Sequence, residues 1–302
     1  MGMRVAELPR DSAVRVLTHR TDVDGVVCAA IVLRRFPKAL ICTGEPKEDL
    51  AGEYDIVVDL PLKRGLRTKV WIDHHQTGNE GGTADEIVHD PNAPSAARLV
   101  AQYLGVGGEL AELADRADSA SYQSQPPVGE EESYDPAWDI NDAVKEIKED
   151  SRFVELAQVL ASRGVDAVRR KFQREIARTR ELRKRADELA NRAWNVVRET
   201  GADTAVLRMP GGDLSSPTVS GRVVFSLYER GIKCCAVFYE GGCWFNVRKD
   251  LSGPDVSAIA KRFGGGGHPK SAGAPIDHDR VEAVVEELRK SGLCPVVVDL
   301  RV

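Results

Sequence analysis

Several features that would place the chain in a specialised class of protein are missing from its sequence. The six cysteines form no CxxC pair, which argues against a zinc or redox site built on cysteines. No apolar run approaches the length of a membrane span, and residues 1–12 lack the apolar core of a signal peptide. No internal repeat is found, which excludes a repeat architecture. We therefore expect a cytoplasmic globular protein with no membrane partner.

The overall composition is that of an ordinary globular enzyme. Of the 302 residues, 42% are hydrophobic and 29% are charged, which gives no support for wholesale disorder. The net charge of −5 argues against a general nucleic-acid coat but leaves room for a local basic patch. A chain of this length is expected to form two domains. The cysteines are predicted to be small buried thiols: Cys28, Cys42, Cys234, Cys235, Cys243 and Cys294.

Strand-like and helical segments alternate in the first part of the chain. The strand-like runs are 14–18, 39–43, 55–60, 69–73 and 85–90, and the helical segments are 24–35, 94–104 and 108–120. This alternation predicts an α/β domain with a largely parallel sheet, which we place at residues 1–187. The segment 123–138, rich in Pro, Gly and Glu, predicts a surface loop.

A long helical segment over 139–200 is predicted to connect the two domains, with 188–200 as the linker proper. Within it, Gly164 is the one Gly or Pro residue. The Arg- and Lys-rich part at 169–199 has two interpretations. It is either a nucleic-acid contact or a solvated connecting helix whose Glu and Asp residues offset the arginines.

A second alternation of strands and helices over 201–302 predicts a smaller α/β domain with a mixed sheet. It begins with a strand-like run at 204–209 and a helical segment at 216–230. Two β-rich runs then flank Gly241 and Gly242, which is typical of a hairpin. A helix near 255–263, the segment "GGGGHPKSAG" at 264–273, and a final helix and strand complete this domain.

Acidic residues and histidines follow three strands of the first domain where each strand ends. The first strand is followed by His19, Asp22 and Asp24, the strand "DIVVDL" carries Asp59, and "KVWI" leads into Asp73, His74 and His75. The carboxyl ends of parallel strands share one edge of a sheet, where ligands bind. Each of these residues alone has an ordinary interpretation as a cap or turn residue. Their coincidence at successive strand ends instead favours a shared site.

So many carboxylates in one crevice repel each other unless cations lie between them. A set of His and Asp without Cys suits Mn²⁺, Mg²⁺, Fe²⁺ or Zn²⁺. One ion needs about three or four protein ligands, and this edge offers more. The sequence therefore predicts two divalent ions, roughly 3.5–4 Å apart, that share a bridging carboxylate.

At this point the residues resemble a known family. "HRTDVDG" at 19–25, the Asp of "VVDL", "DHH" at 73–75 and the Asp of "RADSASY" are similar, in order, to the four motifs of the DHH phosphoesterase superfamily. "GGGGHPKSAG", preceded by "FNVRKD", resembles the signature of the associated C-terminal domain. The layout is similar to the branch of nanoRNases and 3′-phosphoadenosine 5′-phosphate phosphatases. The resemblance covers most of the chain except residues 123–200.

The resemblance implies a role for each of these residues. His19 and Asp22 would hold one metal ion, Asp24, His74 and Asp118 the other, and Asp59 would bridge both, with Mn²⁺ the expected ion. His75 would face the scissile phosphate, and Asp73 would orient an imidazole. "LADRADS" also offers Asp115, and Asp118 is preferred because a serine follows it. Ser95 is expected to cap a helix.

The second domain is predicted to bind the rest of the substrate. Arg248 would clamp a phosphate, and Gly265, Gly266 and Gly267 would supply backbone N–H groups beside His268 and Lys270. A plain flexible turn is the alternative for these glycines.

We expect a metal-dependent phosphoesterase that hydrolyses short oligonucleotides or small nucleotides with a metal-activated water. The alternatives are a cyclic or linear dinucleotide phosphodiesterase, a polyphosphatase, or a non-catalytic nucleotide or nucleic-acid sensor. The sequence leaves the oligomeric state open, with a homodimer among the options.

Overall fold

The structure is a computed structural model that describes residues 3–75, 78–118, 135–248 and 253–301. It divides into two compact units, Met1–Thr179 and Arg180–Val302. Across the described residues, no helix combines the length and the apolar character that a membrane crossing requires.

The first unit is built on a five-stranded sheet in which every neighbouring pair is parallel. Its strands, in the spatial order β2-β1-β3-β5-β7, are β1 (Arg15–His19), β2 (Leu40–Gly44), β3 (Ala51–Val58), β5 (Gly65–Asp73) and β7 (Thr83–His89). Two short strands, β4 (Leu62–Lys63) and β6 (Asn79–Glu80), pair with each other beside it. The parallel order brings the carboxyl ends of the five strands to one edge, as the sequence predicts.

Helices cover one face of this sheet and a small apolar cluster covers the other. The helices of the unit are α1 (Val23–Arg35), α2 (Ala96–Leu104), α3 (Gly108–Asp118), α4 (Pro136–Glu146) and α5 (Asp150–Lys171), followed by the start of α6 (Gln173–Val197). Strand residues alternate between the two faces, as a period of two requires: Val70 and Ile72 join the helical core, whereas Trp71 joins the opposite cluster with Leu60. Both layers are buried.

The second unit has a six-stranded mixed sheet in the order β11-β12-β10-β9-β8-β13. Its elements are β8 (Thr204–Arg208), α7 (Pro217–Glu229), β9 (Cys234–Tyr239), β10 (Gly242–Val247), α8 (Val256–Arg262), β11 (Gly266–His268), β12 (Ser271–Ala274), α9 (Val281–Lys290) and β13 (Pro295–Asp299). The β8 strand is parallel to β9 and β13, and the other pairs are antiparallel. The latter part of α6 packs Leu182, Leu189 and Val197 into this unit's core.

These features confirm the predicted fold class, a parallel α/β domain followed by a smaller α/β domain with a mixed sheet. The predicted hairpin at Gly241 and Gly242 joins β9 to β10. The cysteine prediction is wrong for Cys294, which is exposed, while the other five thiols are buried or half-buried. The predicted loop at 123–138 lies mostly outside the described residues, but its last part is helical, because Asp135 caps α4 and Pro136 opens it.

Candidate metal centre

His19 and Asp22 lie where β1 ends and α1 begins. The His19 Nδ1 atom is 2.7 Å from Asp22 Oδ2 and 3.5 Å from Asp59 Oδ2. Gly25 allows this tight junction, since a Cβ there would lie 2.0 Å from the carbonyl oxygen of His19. Burial alone would lower the pKa of His19, but the carboxylates of Asp22 and then Asp59 raise it to about 11. Burial alone would raise the pKa of Asp22, but the contact with His19 outweighs burial and lowers this pKa.

Asp24, in the first turn of α1, is buried and held by backbone amides. Its Oδ2 accepts a hydrogen bond from Ala96 N at 2.7 Å, and its Oδ1 accepts one from Ala97 N at 2.8 Å. This carboxylate therefore lies at the amino end of α2, where backbone N–H groups lack helical partners. Burial, followed by repulsion from Asp22, nevertheless raises the pKa of Asp24 to about 7.

Asp59 follows β3 directly and is 1% exposed. Its φ of 54° is the only positive value at a non-glycine position among the residues that the structure describes. Asp and Asn adopt this left-handed conformation more readily than other side chains, which helps the chain to turn there. Burial first, and then the charges of Asp24 and Asp22, raise the pKa of Asp59 well above its ordinary value.

The Asp73, His74 and His75 segment is organised by the buried carboxylate of Asp73. Its Oδ1 accepts hydrogen bonds from the backbone N of His74 at 2.8 Å and of His75 at 3.3 Å, and lies 2.8 Å from His75 Nδ1. This contact, as the main cause, raises the pKa of His75. His74 Nδ1 instead lies 3.2 Å from the carbonyl oxygen of Ala93, which fixes the proton on that nitrogen. Its Nε2 is left as a ligand atom.

Asp118 and Asp115 contact different residues. The Asp118 Oδ2 atom is 3.7 Å from His74 Nε2, which is also 3.6 Å from Asp24 Oδ2. Asp115 lies 3.0 Å from Arg98 Nε and accepts a hydrogen bond from Ser95 Oγ at 2.6 Å. Burial first raises the pKa of Asp118. The geometry therefore places Asp118, not Asp115, with the other acidic residues.

Within the part of the chain that the structure describes, three groups of side chains bring their ligand atoms within 4.8 Å of one another. They are His19, Asp22 and Asp59; Asp24, His74 and Asp118; and Asp59, His74 and His75. Among the described residues, the buried atoms without a hydrogen-bond partner include Asp59 Oδ2 and His74 Nε2. Orphaned buried polar atoms are costly unless another group satisfies them. The donor set and these orphaned atoms fit a metal ion, so the Asp and His groups could hold one.

The glycine-rich segment of the second unit forms a hairpin. Strand β11 pairs with β12, and Gly267 faces Ala272 across it with φ of 140°. A Cβ at Gly267 would lie 2.6 Å from Ala272 Cα, so close strand packing requires glycine there. Gly265 has the same need, since a Cβ would lie 2.0 Å from Gly273 O. These glycines are thus parts of a sheet edge, not a plain flexible turn.

The other predicted substrate-binding residues lie near this hairpin's sheet. His268 is exposed at the end of β11, and the backbone of Lys270 accepts a hydrogen bond from Val247 N at 2.9 Å. Arg248 follows β10 directly, and its Nη1 donates to Tyr228 O at 3.2 Å.

Two residues that sequence reasoning missed contact the centre. Glu45 Oε2 lies 3.3 Å from His19 Nε2, and His89 Nε2 lies 2.7 Å from the carbonyl oxygen of His75. The His89 ring stacks on Trp71 with 5.2 Å between centroids. Both follow from the argument of shared strand ends, because Glu45 comes directly after β2 and His89 ends β7.

Comparison of the sequence with models of protein families and with curated proteins finds no match. Solved structures with the same fold do exist. The pGpG-specific phosphodiesterase PggH from Vibrio cholerae superposes with a TM-score of 0.66 at 18% identity, over 92% of this chain and 98% of that one. The exonuclease RecJ bound to manganese has a TM-score of 0.61 at 18% identity, over 93% and 90%. An exopolyphosphatase-related protein from Bacteroides fragilis has a TM-score of 0.51 at 14% identity, over 93% and 92%.

The chain is thus an α/β protein of two units whose first sheet gathers Asp and His side chains at the carboxyl ends of its strands. The chain has the two-unit fold that these solved structures share. This confirms the fold that the sequence resemblance implies. At these levels of identity the likeness concerns the fold, and the activity is argued from the site.

Proposed function

We propose that the protein is a metal-dependent phosphoesterase that hydrolyses short oligonucleotides or small nucleotides. The observation that carries this proposal is the position of Asp59 in two of the three Asp and His groups. Its Oδ2 lies 3.5 Å from His19 Nδ1, and its Oδ1 lies 3.9 Å from His75 Nδ1. A carboxylate whose ligand atoms group with that of His19 on one side and with that of His74 on the other is suited to bridge a pair of ions.

The proposed ligands of the first ion are His19, Asp22 and Asp59, and those of the second are Asp24, His74, Asp118 and Asp59. Two divalent ions, with Mn²⁺ as the proposed physiological choice, would lower the pKa of a shared water and neutralise charge on the phosphoryl oxygens. The manganese bound to the RecJ structure supports this choice.

His75 is the proposed phosphate-facing residue. Its Nδ1 is held by Asp73 at 2.8 Å, and its side chain is half-exposed. The contact with Asp73 is the main cause that raises the pKa of His75. The Nε2–H group can donate a hydrogen bond to a phosphoryl oxygen. This hydrogen bond is strongest in the transition state, because negative charge develops on that oxygen.

The second unit is proposed to bind the part of the substrate away from the scissile phosphate. Arg248, His268 and Lys270 carry the cationic or polar groups for this, and Gly265, Gly266 and Gly267 leave the backbone without side chains at the position before β11 and at its first two positions. A guanidinium suits a terminal phosphate because it makes bidentate contacts.

Among substrates, a linear dinucleotide is the second candidate, because PggH is a pGpG-specific phosphodiesterase and shares the fold over nearly its whole length. The exopolyphosphatase-related structure supports including polyphosphate among the substrates to be tested. A homodimer is also proposed, and size-exclusion chromatography of the same protein measures its oligomeric state.

The test is to incubate the protein with Mn²⁺ and a panel of substrates: RNA and DNA of two to ten nucleotides, pGpG, a cyclic dinucleotide, 3′-phosphoadenosine 5′-phosphate and polyphosphate. We expect turnover of the short linear substrates, loss of turnover in EDTA, and recovery with added Mn²⁺. Asp85→Asn, which removes an exposed carboxylate on β7, is the control for general charge effects. Binding of nucleotides without any turnover would instead support the sensor function.

A further inference from the structure

Glu45 is a carboxylate at the edge of the sheet that the proposed ligand sets leave unused. In the parallel pairing of β1 with β2, His19 is opposite Gly44, so Glu45 is the first residue beyond the register. This brings Glu45 Oε2 to 3.3 Å from His19 Nε2. The other ring nitrogen, Nδ1, faces Asp22 and Asp59. The imidazole therefore lies between a carboxylate on one side and the proposed metal ligands on the other.

We propose that Glu45 is a positioning residue that holds the Nε2–H group of His19, so that Nδ1 is the atom presented to a metal ion. The inference rests on the proposed function only in taking His19 as a ligand. A metal-bound imidazole retains one proton, on the nitrogen away from the metal. Carboxylates often accept that proton and fix the orientation of the ring.

Further contacts hold Glu45 in place. Thr21 Oγ1 donates to Glu45 Oε2 at 3.3 Å, and Arg20 Nε lies 3.4 Å from Glu45 Oε1. The backbone N of Glu45 donates to Glu48 Oε2 at 2.8 Å. The two residues between His19 and Asp22 thus reach back to Glu45. A ring oriented from both sides loses less conformational freedom when it binds a metal ion.

The experiment measures Mn²⁺ binding by the full chain, without substrate, from the electron paramagnetic resonance signal of free Mn²⁺. We expect Glu45→Ala to weaken binding about 10- to 100-fold at the site that His19 serves. Glu45→Gln should bind within about threefold of the wild type, because its amide oxygen still accepts the proton. Asp49→Ala, which removes the same charge from an exposed position of the same loop, should also bind within about threefold.

Three outcomes would overturn the proposal. Wild-type affinity in Glu45→Ala would show that Glu45 does not position the ring. Equal losses in Glu45→Gln and Glu45→Ala would show that Glu45 acts by charge or as a ligand itself. An equal loss in Asp49→Ala would show a general charge effect. Because metal binding is the readout, these outcomes are independent of whether the protein turns over any phosphoester.

A second measurement covers the case in which Glu45→Ala does not fold. In the Zn²⁺-loaded wild type, nitrogen-15 spectra of the histidine rings report which His19 nitrogen carries hydrogen. We expect the proton on Nε2 and the metal on Nδ1. A proton on Nδ1 would refute the assignment.

Discussion

Replacing Asp59 with asparagine should have opposite effects on stability in the absence and presence of metal. The side chain is 1% exposed, and its pKa is raised first by burial and then by Asp24 and Asp22. Asparagine keeps the shape and tolerates the φ of 54°, but it carries no charge. In EDTA at pH 7.5 we therefore expect Asp59→Asn to be more stable than the wild type.

The size of this effect follows from the cost of a buried charge that the nearby His19 compensates only in part, since the pKa of Asp59 stays raised despite this contact. Removing such a charge avoids an effective desolvation penalty on the order of several kcal/mol. For a unit of this size each kcal/mol raises the midpoint of thermal unfolding by about 2–4 °C. Added Mn²⁺ at 100 times its Kd stabilises the wild type by about 2.7 kcal/mol, and the variant, which lacks the bridging carboxylate, by less. The order of the two midpoints should therefore reverse.

The pH dependence gives a further check on the sign. A carboxyl group whose pKa is higher in the folded than in the unfolded state binds its proton more tightly when folded. It therefore makes the metal-free fold less stable as the pH rises from its unfolded pKa of about 4 towards the folded value. The advantage of Asp59→Asn in EDTA should shrink as the pH is lowered towards 4.

Thermal unfolding followed by circular dichroism, with and without Mn²⁺, measures all of these quantities. Asp59→Ala is the matched control: it also removes the charge, but alanine in the left-handed region costs about 1–2 kcal/mol, so it should be less stable than Asp59→Asn. If Asp59→Asn unfolds at a lower temperature than the wild type in EDTA, the reasoning is refuted, because the carboxylate would then stabilise the metal-free fold.

Three other predictions concern the proposed reaction and the second unit. His75→Asn should lower kcat about 100-fold while leaving Mn²⁺ affinity unchanged, and a matching loss of affinity would make His75 a ligand instead. Arg248→Ala should raise KM about 10- to 100-fold with little change in kcat, as expected for the loss of one charge-assisted contact, and an unchanged KM would count against the phosphate clamp. Gly267→Ala should destabilise the second unit by about 1–3 kcal/mol, because its φ is 140° and its Cβ would meet Ala272. A denaturant titration of each variant measures this change. In Gly266→Ala, where a Cβ would meet no atom within 4 Å, the free energy of unfolding should stay within about 0.5 kcal/mol of the wild-type value.

The cluster of acidic residues and histidines at the edge of the first sheet could be predicted because it follows from local sequence patterns. β-branched runs alternate with helices, and parallel strands end together, so His19, Asp59 and His74 converge whatever the details of the loops. The same rule applied to β2 would have included Glu45. It was missed because a single glutamate after a strand resembles any surface residue.

Other features depend on tertiary partners that the sequence does not reveal. Asp115 and Asp118 are three residues apart on α3 and share a helical face, so spacing alone cannot separate them. They differ because Arg98 and Ser95, on another helix, engage Asp115. The glycines at 264–267 permit many conformations, and only the pairing of β11 with β12 selects the strand.

The acidic edge is held together by peptide groups, and this determines what a cation can contribute. Backbone amides of Ala96 and Ala97 fix both oxygens of Asp24, and the carbonyl group of Ala93 fixes the ring of His74. None of these contacts needs a metal ion, so the burial and the repulsion from Asp22 that raise the pKa of Asp24 to about 7 exist in the metal-free fold. A bound cation relieves the repulsion between carboxylates whose positions the backbone already fixes. Few side chains have to reorganise when the cation binds. The free energy of metal binding should therefore increase the stability of the first unit, whereas its secondary structure should be the same with and without metal.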